Sequence, residues 1–107
     1  MSEFEIVLGS GFWGHSVVIL LDGREAYRQG DVTTDPLTSH ADRFVATGER
    51  GHVHVLVRVT PGDLVLSADC DLRTHTRAVI SLLGKGSIWI ETDAAYPRVS
   101  RRMVRYG

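Results

Sequence analysis

Four side chains with the chemistry of metal ligands lie in two short segments of this sequence. His52 and His54 are separated by one residue, and Asp69 and Asp71 have the same spacing. Imidazole and carboxylate groups bind Zn²⁺, and carboxylates also bind Ca²⁺. Because residues two apart in a β-strand lie on one face, pairing of the two segments would bring all four side chains into one patch. An ion held there with an open position would activate water for hydrolysis.

The same pattern is also typical of an ordinary solvated sheet face. A histidine opposite an aspartate stabilises a sheet by about 0.2–1 kcal/mol without any ion. A flat face gives ligands little tetrahedral geometry and few supporting hydrogen bonds. Local His–Asp pairing is therefore our first interpretation of His52, His54, Asp69 and Asp71. A metal-binding protein that uses Zn²⁺ or Ca²⁺, or a small metal-dependent hydrolase, is the alternative.

Two alternating apolar patterns predict the strands that carry this patch. Every odd position from Val53 to Val59 is valine, and every even position from Leu64 to Leu72 is apolar. If Pro61-Gly62 forms a two-residue turn, the last valine pairs with the first leucine, and each inward residue meets an inward residue. A slip of one position would turn one apolar set toward water, so an even slip, a bulge or a longer connection are the alternatives. The sequence therefore predicts a hairpin in which His54 lies opposite Asp69.

A glycine-rich segment carries two adjacent aromatic residues. Residues 9–14 read Gly-Ser-Gly-Phe-Trp-Gly, which matches the G-x-G-x-x-G pattern of nucleotide-binding loops. Such a loop requires a following helix that receives the phosphates, whereas residues 15–21 have the pattern of a strand. We therefore expect a turn that presents Phe12 and Trp13. Either the two aromatics plug the end of the fold, which we favour, or they are exposed and bind a ligand or partner.

The remaining sequence favours a single all-β domain over residues 1–107. Val, Ile and Thr together supply 26 residues, and turn signals recur every 8 to 12 residues, which is typical of an antiparallel β-sandwich of seven to nine strands. Asp22-Gly23 suits a type I′ turn after a central strand, with an antiparallel return over 24–28. We expect a loop with one short helical turn over 30–42, and a hairpin that places Leu82 opposite Ile88. Residues 98–107 are expected to be a basic edge strand or a tail.

A resemblance to known proteins lies in the middle of the chain. The segment Val18-Ile19-Leu20-Leu21-Asp22-Gly23, followed by Tyr27, by Gly-Asp-Val-Thr-Thr-Asp at 30–35 and by Ala41, resembles small uncharacterised bacterial proteins. These have an immunoglobulin- or transthyretin-like β-sandwich, and the resemblance covers about residues 16–92. It implies a fold and carries over no activity.

Charge, length and cysteine usage exclude several classes of function. Thirteen acidic and twelve basic residues give a net charge of -1, which offers no electrostatic case for nucleic acid or an anionic membrane, although 98–107 holds four arginines and no acid. The longest apolar run, 17–21, is too short to span a membrane. Cys70 is the single cysteine and the N-terminus lacks the pattern of a secretory signal, so we expect a cytoplasmic protein.

Catalytic residue sets are not recognisable in this sequence. Ser39, His40 and Asp42 include the residue types of a hydrolytic triad, but three near neighbours on one loop rarely converge as nucleophile, base and orienting group. Asp31, Asp35 and Asp42 fit no Ca²⁺-binding loop and are expected to cap turns.

The patterns together favour a non-catalytic binding or interaction module that uses no cofactor. Its ligand would be a protein or a small molecule, bound through Phe12 and Trp13 or through the basic end of the chain. Because an unpaired sheet edge is a template for association, a homo-oligomer is also expected.

Overall fold

The chain forms nine β-strands in the part that the structure describes. The structure is a computed structural model that describes residues 2–48, 51–71, 77–83, 87–93 and 99–105. The strands are β1 (Ser2–Leu8), β2 (His15–Leu21), β3 (Arg24–Val32), β4 (Asp42–Gly48), β5 (His52–Thr60), β6 (Leu64–Asp71), β7 (Arg77–Leu82), β8 (Ser87–Asp93) and β9 (Val99–Arg105). The all-β prediction is confirmed. No helix long and apolar enough to cross a membrane occurs in these residues.

The strands are arranged in two sheets. The larger sheet has the order β4-β1-β7-β8-β9, and the smaller sheet has the order β3-β2-β5-β6. All neighbouring strands are antiparallel except β1 and β7, which run parallel. The edge strands are β4 and β9 in one sheet and β3 and β6 in the other. Within the basic C-terminal segment, the described residues 99–105 are therefore an edge strand, which is one of the two alternatives that the sequence left open.

The inward faces of both sheets form one hydrophobic core, the arrangement that a β-sandwich requires. Strand alternation explains its composition, because every second side chain of a strand points to the same face. The larger sheet contributes Phe4, Ile6 and Leu8 from β1 and apolar residues from β7 and β8, and the smaller sheet contributes the odd-numbered valines of β5.

The β5–β6 hairpin has the predicted register. Val59 pairs with Leu64, and the ladder continues without a shift to the pair of His52 and Asp71. The alternating valines and leucines are buried on the inner face, as the two apolar patterns require. Three residues, Pro61, Gly62 and Asp63, connect the two strands, so the connection is longer than the two-residue turn considered from the sequence.

Two other local predictions are confirmed. Asp22 and Gly23 both have positive φ, 51° and 82°, as a type I′ turn requires. In the β7–β8 pair, Leu82 lies opposite Ile88, although residues 84–86 of its connection lie outside the described residues.

The prediction for residues 30–42 was wrong in two respects. The strand β3 continues to Val32, so the loop begins later than expected, and the described loop contains no helical turn. Instead, an isolated bridge joins Asp35 to His40 around a tight turn. The Asp35 side chain accepts a hydrogen bond from the Leu37 N–H at 2.8 Å, so it caps this turn as the sequence predicted.

Candidate functional site

One end of the two-sheet fold gathers four chain connections. The pairing of Leu8 with Asp42, of His15 with Val32 and of Ser16 with Thr60 brings these connections to the same end. We define the loop end as the described residues of these connections: 9–14, 33–41, 61–63 and 83. All of them follow strands whose carboxyl ends lie together, because β1 and β7 are parallel neighbours.

The β1–β2 loop is fixed to its neighbours by backbone and side-chain hydrogen bonds. The Thr34 hydroxyl accepts a bond from the Phe12 N–H at 3.0 Å and donates one to the Gly9 carbonyl at 2.7 Å. The Thr34 N–H donates to the Phe12 carbonyl at 2.9 Å. The Gly14 N–H donates to the Thr33 hydroxyl at 2.9 Å. These bonds join the first two loops of the loop end into one unit.

The opposite side of the same loop rests on β7. The Gly9 N–H donates to the Ile80 carbonyl at 2.7 Å, and the Leu82 N–H donates to the Ser10 carbonyl at 2.9 Å. Gly11 follows with a φ of 91°, and a Cβ placed there would overlap the Leu82 carbonyl. The glycines of this segment therefore allow a close backbone approach to β7. The segment is followed by the strand β2, as the sequence predicted, and not by a helix of the kind that receives phosphates in a nucleotide-binding loop.

Phe12 is buried, whereas its neighbour Trp13 is exposed to solvent. The Phe12 side chain is 1% exposed and belongs to the hydrophobic core, where its ring meets the His15 ring edge-to-face at 6.1 Å. The Trp13 side chain is 82% exposed. Its backbone N–H donates to the His15 Nδ1 at 2.8 Å, which ties the backbone at this position to the start of β2. Of the two residues that the sequence offered as a contact site, only Trp13 is accessible, and Phe12 is the plug that holds the loop in place.

Two further exposed apolar side chains lie at the loop end. Leu37 is 93% exposed at the tip of the β3–β4 loop, and Leu83 is 40% exposed directly after β7. The sequence analysis missed both residues, because a single leucine in a polar loop shows no periodicity that distinguishes an exposed position from a buried one. Among the side chains whose exposure the structure describes, which exclude Trp89 and those of β9, four large apolar ones are exposed, and of these four Val45, on β4, lies away from this end.

The His–Asp patch forms with the predicted pairing. His52 lies opposite Asp71 and His54 lies opposite Asp69. The His54 Nδ1 and an Asp69 carboxylate oxygen are 2.8 Å apart, within hydrogen-bonding distance. Both side chains are well exposed to solvent, so this contact resembles a surface pair.

Metal-ligand geometry is not found around this patch. Within the described ranges, no group of three or more His, Cys, Asp or Glu side chains is arranged to hold a metal ion. The Asp22 carboxylate near the patch accepts a hydrogen bond from the His54 backbone N–H at 2.9 Å, so it serves the β2–β3 turn. The local His–Asp pair is thus the interpretation that the geometry supports, and metal binding stays a prediction.

A second polar cluster joins the edges of the two sheets. Tyr27 on β3 donates a hydrogen bond from its hydroxyl to Asp42 on β4 at 2.7 Å, and its ring stacks on Phe44 with centroids 5.1 Å apart. Burial, then the hydrogen bond and the negative charge of Asp42, raise the pKa of Tyr27 above its usual value. Since Asp42 bonds Tyr27 and also the Arg43 N–H, its carboxylate is engaged in structure. The hydrolytic triad rejected from the sequence gains no support from this arrangement.

Comparison with known proteins leaves the resemblance untested. No family model, curated protein or solved structure matches this chain. The resemblance to immunoglobulin- or transthyretin-like bacterial proteins stays a prediction.

Proposed function

We propose that this chain is a non-catalytic binding module that contacts its partner through the loop end. The observation that carries this proposal is the concentration of exposed apolar side chains at one end of the fold. Trp13, Leu37 and Leu83 come from three different connections and lie at the same end. Exposed apolar side chains gathered in one region are typical of interaction sites, and tryptophan contributes more binding energy than most residues.

The rigidity of the loop end supports the same function. Binding costs free energy for each side chain and loop that must be ordered at the interface. Here the loop that carries Trp13 is already held by the two hydrogen bonds of the Thr34 hydroxyl and by the buried ring of Phe12. Such an arrangement lowers the ordering cost, as in other binding proteins whose loops are positioned by a rigid β scaffold.

The polar groups around the loop end favour binding over catalysis. The Asp35 carboxylate caps its own turn, and the Asp42 carboxylate bonds Tyr27. The His15 Nδ1 accepts the Trp13 N–H, so this nitrogen serves the loop conformation. A general base must be in reach of the proton that it abstracts, and these groups are engaged in the fold instead.

The proposal is tested by mapping small probe molecules on the ¹⁵N-labelled protein by NMR. A panel of small aromatic, aliphatic and sugar compounds is titrated singly, and the shifted backbone amides are recorded. We expect the shifts to concentrate in residues 10–14 and 33–41. The region around Val45 is the internal control, since it is also exposed and apolar but lies on β4. Shifts concentrated at Val45, on the His–Asp patch or nowhere would contradict the proposal.

A homo-oligomer is a second candidate, favoured by the regularity of one sheet edge. The strand β6 pairs with β5 over eight consecutive residue pairs without a shift, whereas the edge strand β3 has two irregularities against β2. Regular edges are better templates for strand pairing than bulged ones. If β6 pairs with a second copy, light scattering after size exclusion will show a mass that rises with concentration. A constant monomer mass up to about 1 mM would rule this out.

A cytoplasmic location also belongs to the proposal, supported by the single cysteine, Cys70.

A further inference from the structure

The loop end and the strand residues that border it carry one sign of charge. Residues 9–15, 31–42, 61–63 and 83 include four aspartates and neither lysine nor arginine. Asp31, Asp35 and Asp63 are exposed, and the Asp42 carboxylate is engaged with Tyr27. The nearest arginine along the chain, Arg43, is paired with Glu5 at 3.5 Å. Lys85, in the β7–β8 connection, lies outside the described residues.

One of these aspartates lies beside Gly14, the residue that follows the exposed tryptophan. A Cβ placed on Gly14, the residue after Trp13, would lie 3.7 Å from the Asp31 carboxylate. Asp31 itself has a φ of 56°, an uncommon value for a residue with a side chain. The fold therefore places a carboxylate next to the backbone that carries the indole.

An exposed indole and a carboxylate that approaches the next residue of the same loop are together suited to a cationic side chain. The face of tryptophan attracts guanidinium and ammonium groups through its quadrupole, and an adjacent carboxylate adds a direct charge interaction. Arginine stacks on aromatic rings and bonds carboxylates with its planar fork, so it satisfies both groups together. Leu37 and Leu83 on the flanking loops add apolar contact area for aliphatic neighbours of such a residue.

We propose that the loop end binds an extended peptide segment of a partner protein that carries arginine beside aliphatic residues, with the guanidinium between Trp13 and Asp31. This inference rests on the proposed function and specifies the chemistry of its partner. Charge complementarity selects the cationic residue, and the exposed apolar side chains select its aliphatic neighbours.

The experiment uses three ten-residue peptides and the full chain labelled with ¹⁵N. The first peptide alternates leucine and arginine, the second replaces arginine with neutral citrulline, and the third replaces it with glutamate. We expect the arginine peptide to shift the amides of residues 12–14 and 31–37 and the indole N–H of Trp13, which is assigned by its loss in Trp13→Ala. The citrulline peptide should bind at least about fivefold more weakly than the arginine peptide, and the glutamate peptide should not bind.

Matched variants separate a specific contact from general attraction. Trp13→Ala should weaken arginine-peptide binding by roughly fivefold, and Trp13→Phe by less, because phenylalanine keeps part of the ring interaction. Asp31→Asn should weaken binding by about threefold and reduce its dependence on salt. Val45→Ala removes an exposed apolar side chain elsewhere and should leave binding unchanged.

Several results would overturn the inference. Equal binding of the arginine and citrulline peptides, shifts outside the loop end, or no binding at about 1 mM peptide would each do so. A concentration-dependent shift of the Trp13 indole without peptide would assign this surface to a second copy of the chain. If the small probes map to the loop end while the arginine peptide is not preferred, the inference fails and the proposed function stands. If the probes also map elsewhere, both fail.

Discussion

Alanine substitutions of the two neighbouring aromatic residues of the β1–β2 loop form a matched pair of variants. Phe12 is buried in the core, so Phe12→Ala should lower the free energy of unfolding by about 3–5 kcal/mol. Trp13 is exposed, so Trp13→Ala should change it by less than about 0.5 kcal/mol. Urea denaturation of both variants measures the difference. A large loss of stability in Trp13→Ala would mean that the indole packs on the fold, and it would remove the basis of the proposed binding surface.

Tyr27 gives the fold a dependence on alkaline pH. Its pKa is raised in the folded state, first by burial and then by the Asp42 carboxylate, whereas the unfolded tyrosine ionises near pH 10. The stability associated with the neutral phenol is therefore complete below about pH 10 and is lost as the pH rises beyond it.

Thermal melting between pH 8 and 11 tests this assignment. The melting temperature of the wild type should fall above about pH 10, and the fall should be smaller in Tyr27→Phe. At neutral pH, Tyr27→Phe should cost about 1 kcal/mol, because the hydrogen bond to Asp42 is lost. Tyr106→Phe is the control variant, because it removes one ionisable phenol at another position of the sequence. Identical alkaline profiles for Tyr27→Phe and the wild type would refute the role of this phenol.

The sequence could predict the aromatic pair only in part. Adjacent aromatics in a glycine-rich loop have no periodicity, so nothing in the residues decides which of Phe12 and Trp13 turns inward. That choice depends on β7 and on the Thr34 hydroxyl, which contact the loop from distant positions in the chain. The pairing of His54 with Asp69 was predictable because two alternating patterns excluded a slip of one position, and the short connection favoured this register among the rest.

The two threonines of the β3–β4 loop hold the β1–β2 loop to different extents. The Thr34 hydroxyl makes two hydrogen bonds, to the Phe12 N–H and the Gly9 carbonyl, and the Thr33 hydroxyl accepts one, from the Gly14 N–H. Thr34→Val should therefore cost about 1–2 kcal/mol, and Thr33→Val about half of that.

Hydrogen exchange shows whether these losses are local. In Thr34→Val the Phe12 amide should exchange at least about tenfold faster, while the Gly14 amide should accelerate mainly in Thr33→Val. Amides of the β5–β6 hairpin serve as the reference for global stability. If hydrogen exchange of all amides were accelerated equally in both variants, the threonine hydroxyls would not stabilise the loop locally. The argument from a preorganised loop would then fail.

The β5–β6 face carries the remaining alternative, metal binding. Because His54 and Asp69 form an exposed pair and no larger ligand group occurs in the described residues, we expect Zn²⁺, Ca²⁺ or a chelator to change the melting temperature by less than about 1 °C. His54→Ala should change stability by no more than about 1 kcal/mol. A shift of several degrees with an ion, lost in His54→Ala, would restore the metal site as the leading interpretation.

Elements near in sequence were predicted better than the sheets that they form. The hairpins follow from alternation and turn residues, so β5–β6 and β7–β8 have the expected registers. The end of β3 was misjudged, because the edge strand is polar and lacks an alternating pattern near Gly30. The parallel pairing of β1 with β7 joins segments about 70 residues apart, and no local signal encodes it.

The whole molecule separates its structural and binding roles by location. The core is shared by both sheets, Tyr27 and Asp42 join the sheets at one side, and the exposed apolar side chains lie at the loop end. Since the loop end is built from connections, its exposed side chains can change without altering the core, whereas the buried Phe12 cannot. The balance of charge over the chain conceals a local excess of aspartate at this end. The net charge of the whole chain therefore does not predict the sign of the charge at the proposed binding surface.

The most direct measurement compares the probe-mapping NMR experiment in the wild type and three variants. Trp13→Ala and Leu37→Ser each remove one exposed side chain of the loop end, and Val45→Ser removes one from β4. The account predicts that all four proteins keep the same melting temperature within about 2 °C. It also predicts that probe shifts at residues 10–14 and 33–41 are lost in the first two variants and retained in Val45→Ser. Retention of these shifts in Trp13→Ala and Leu37→Ser would contradict the claim that the loop end is the binding surface.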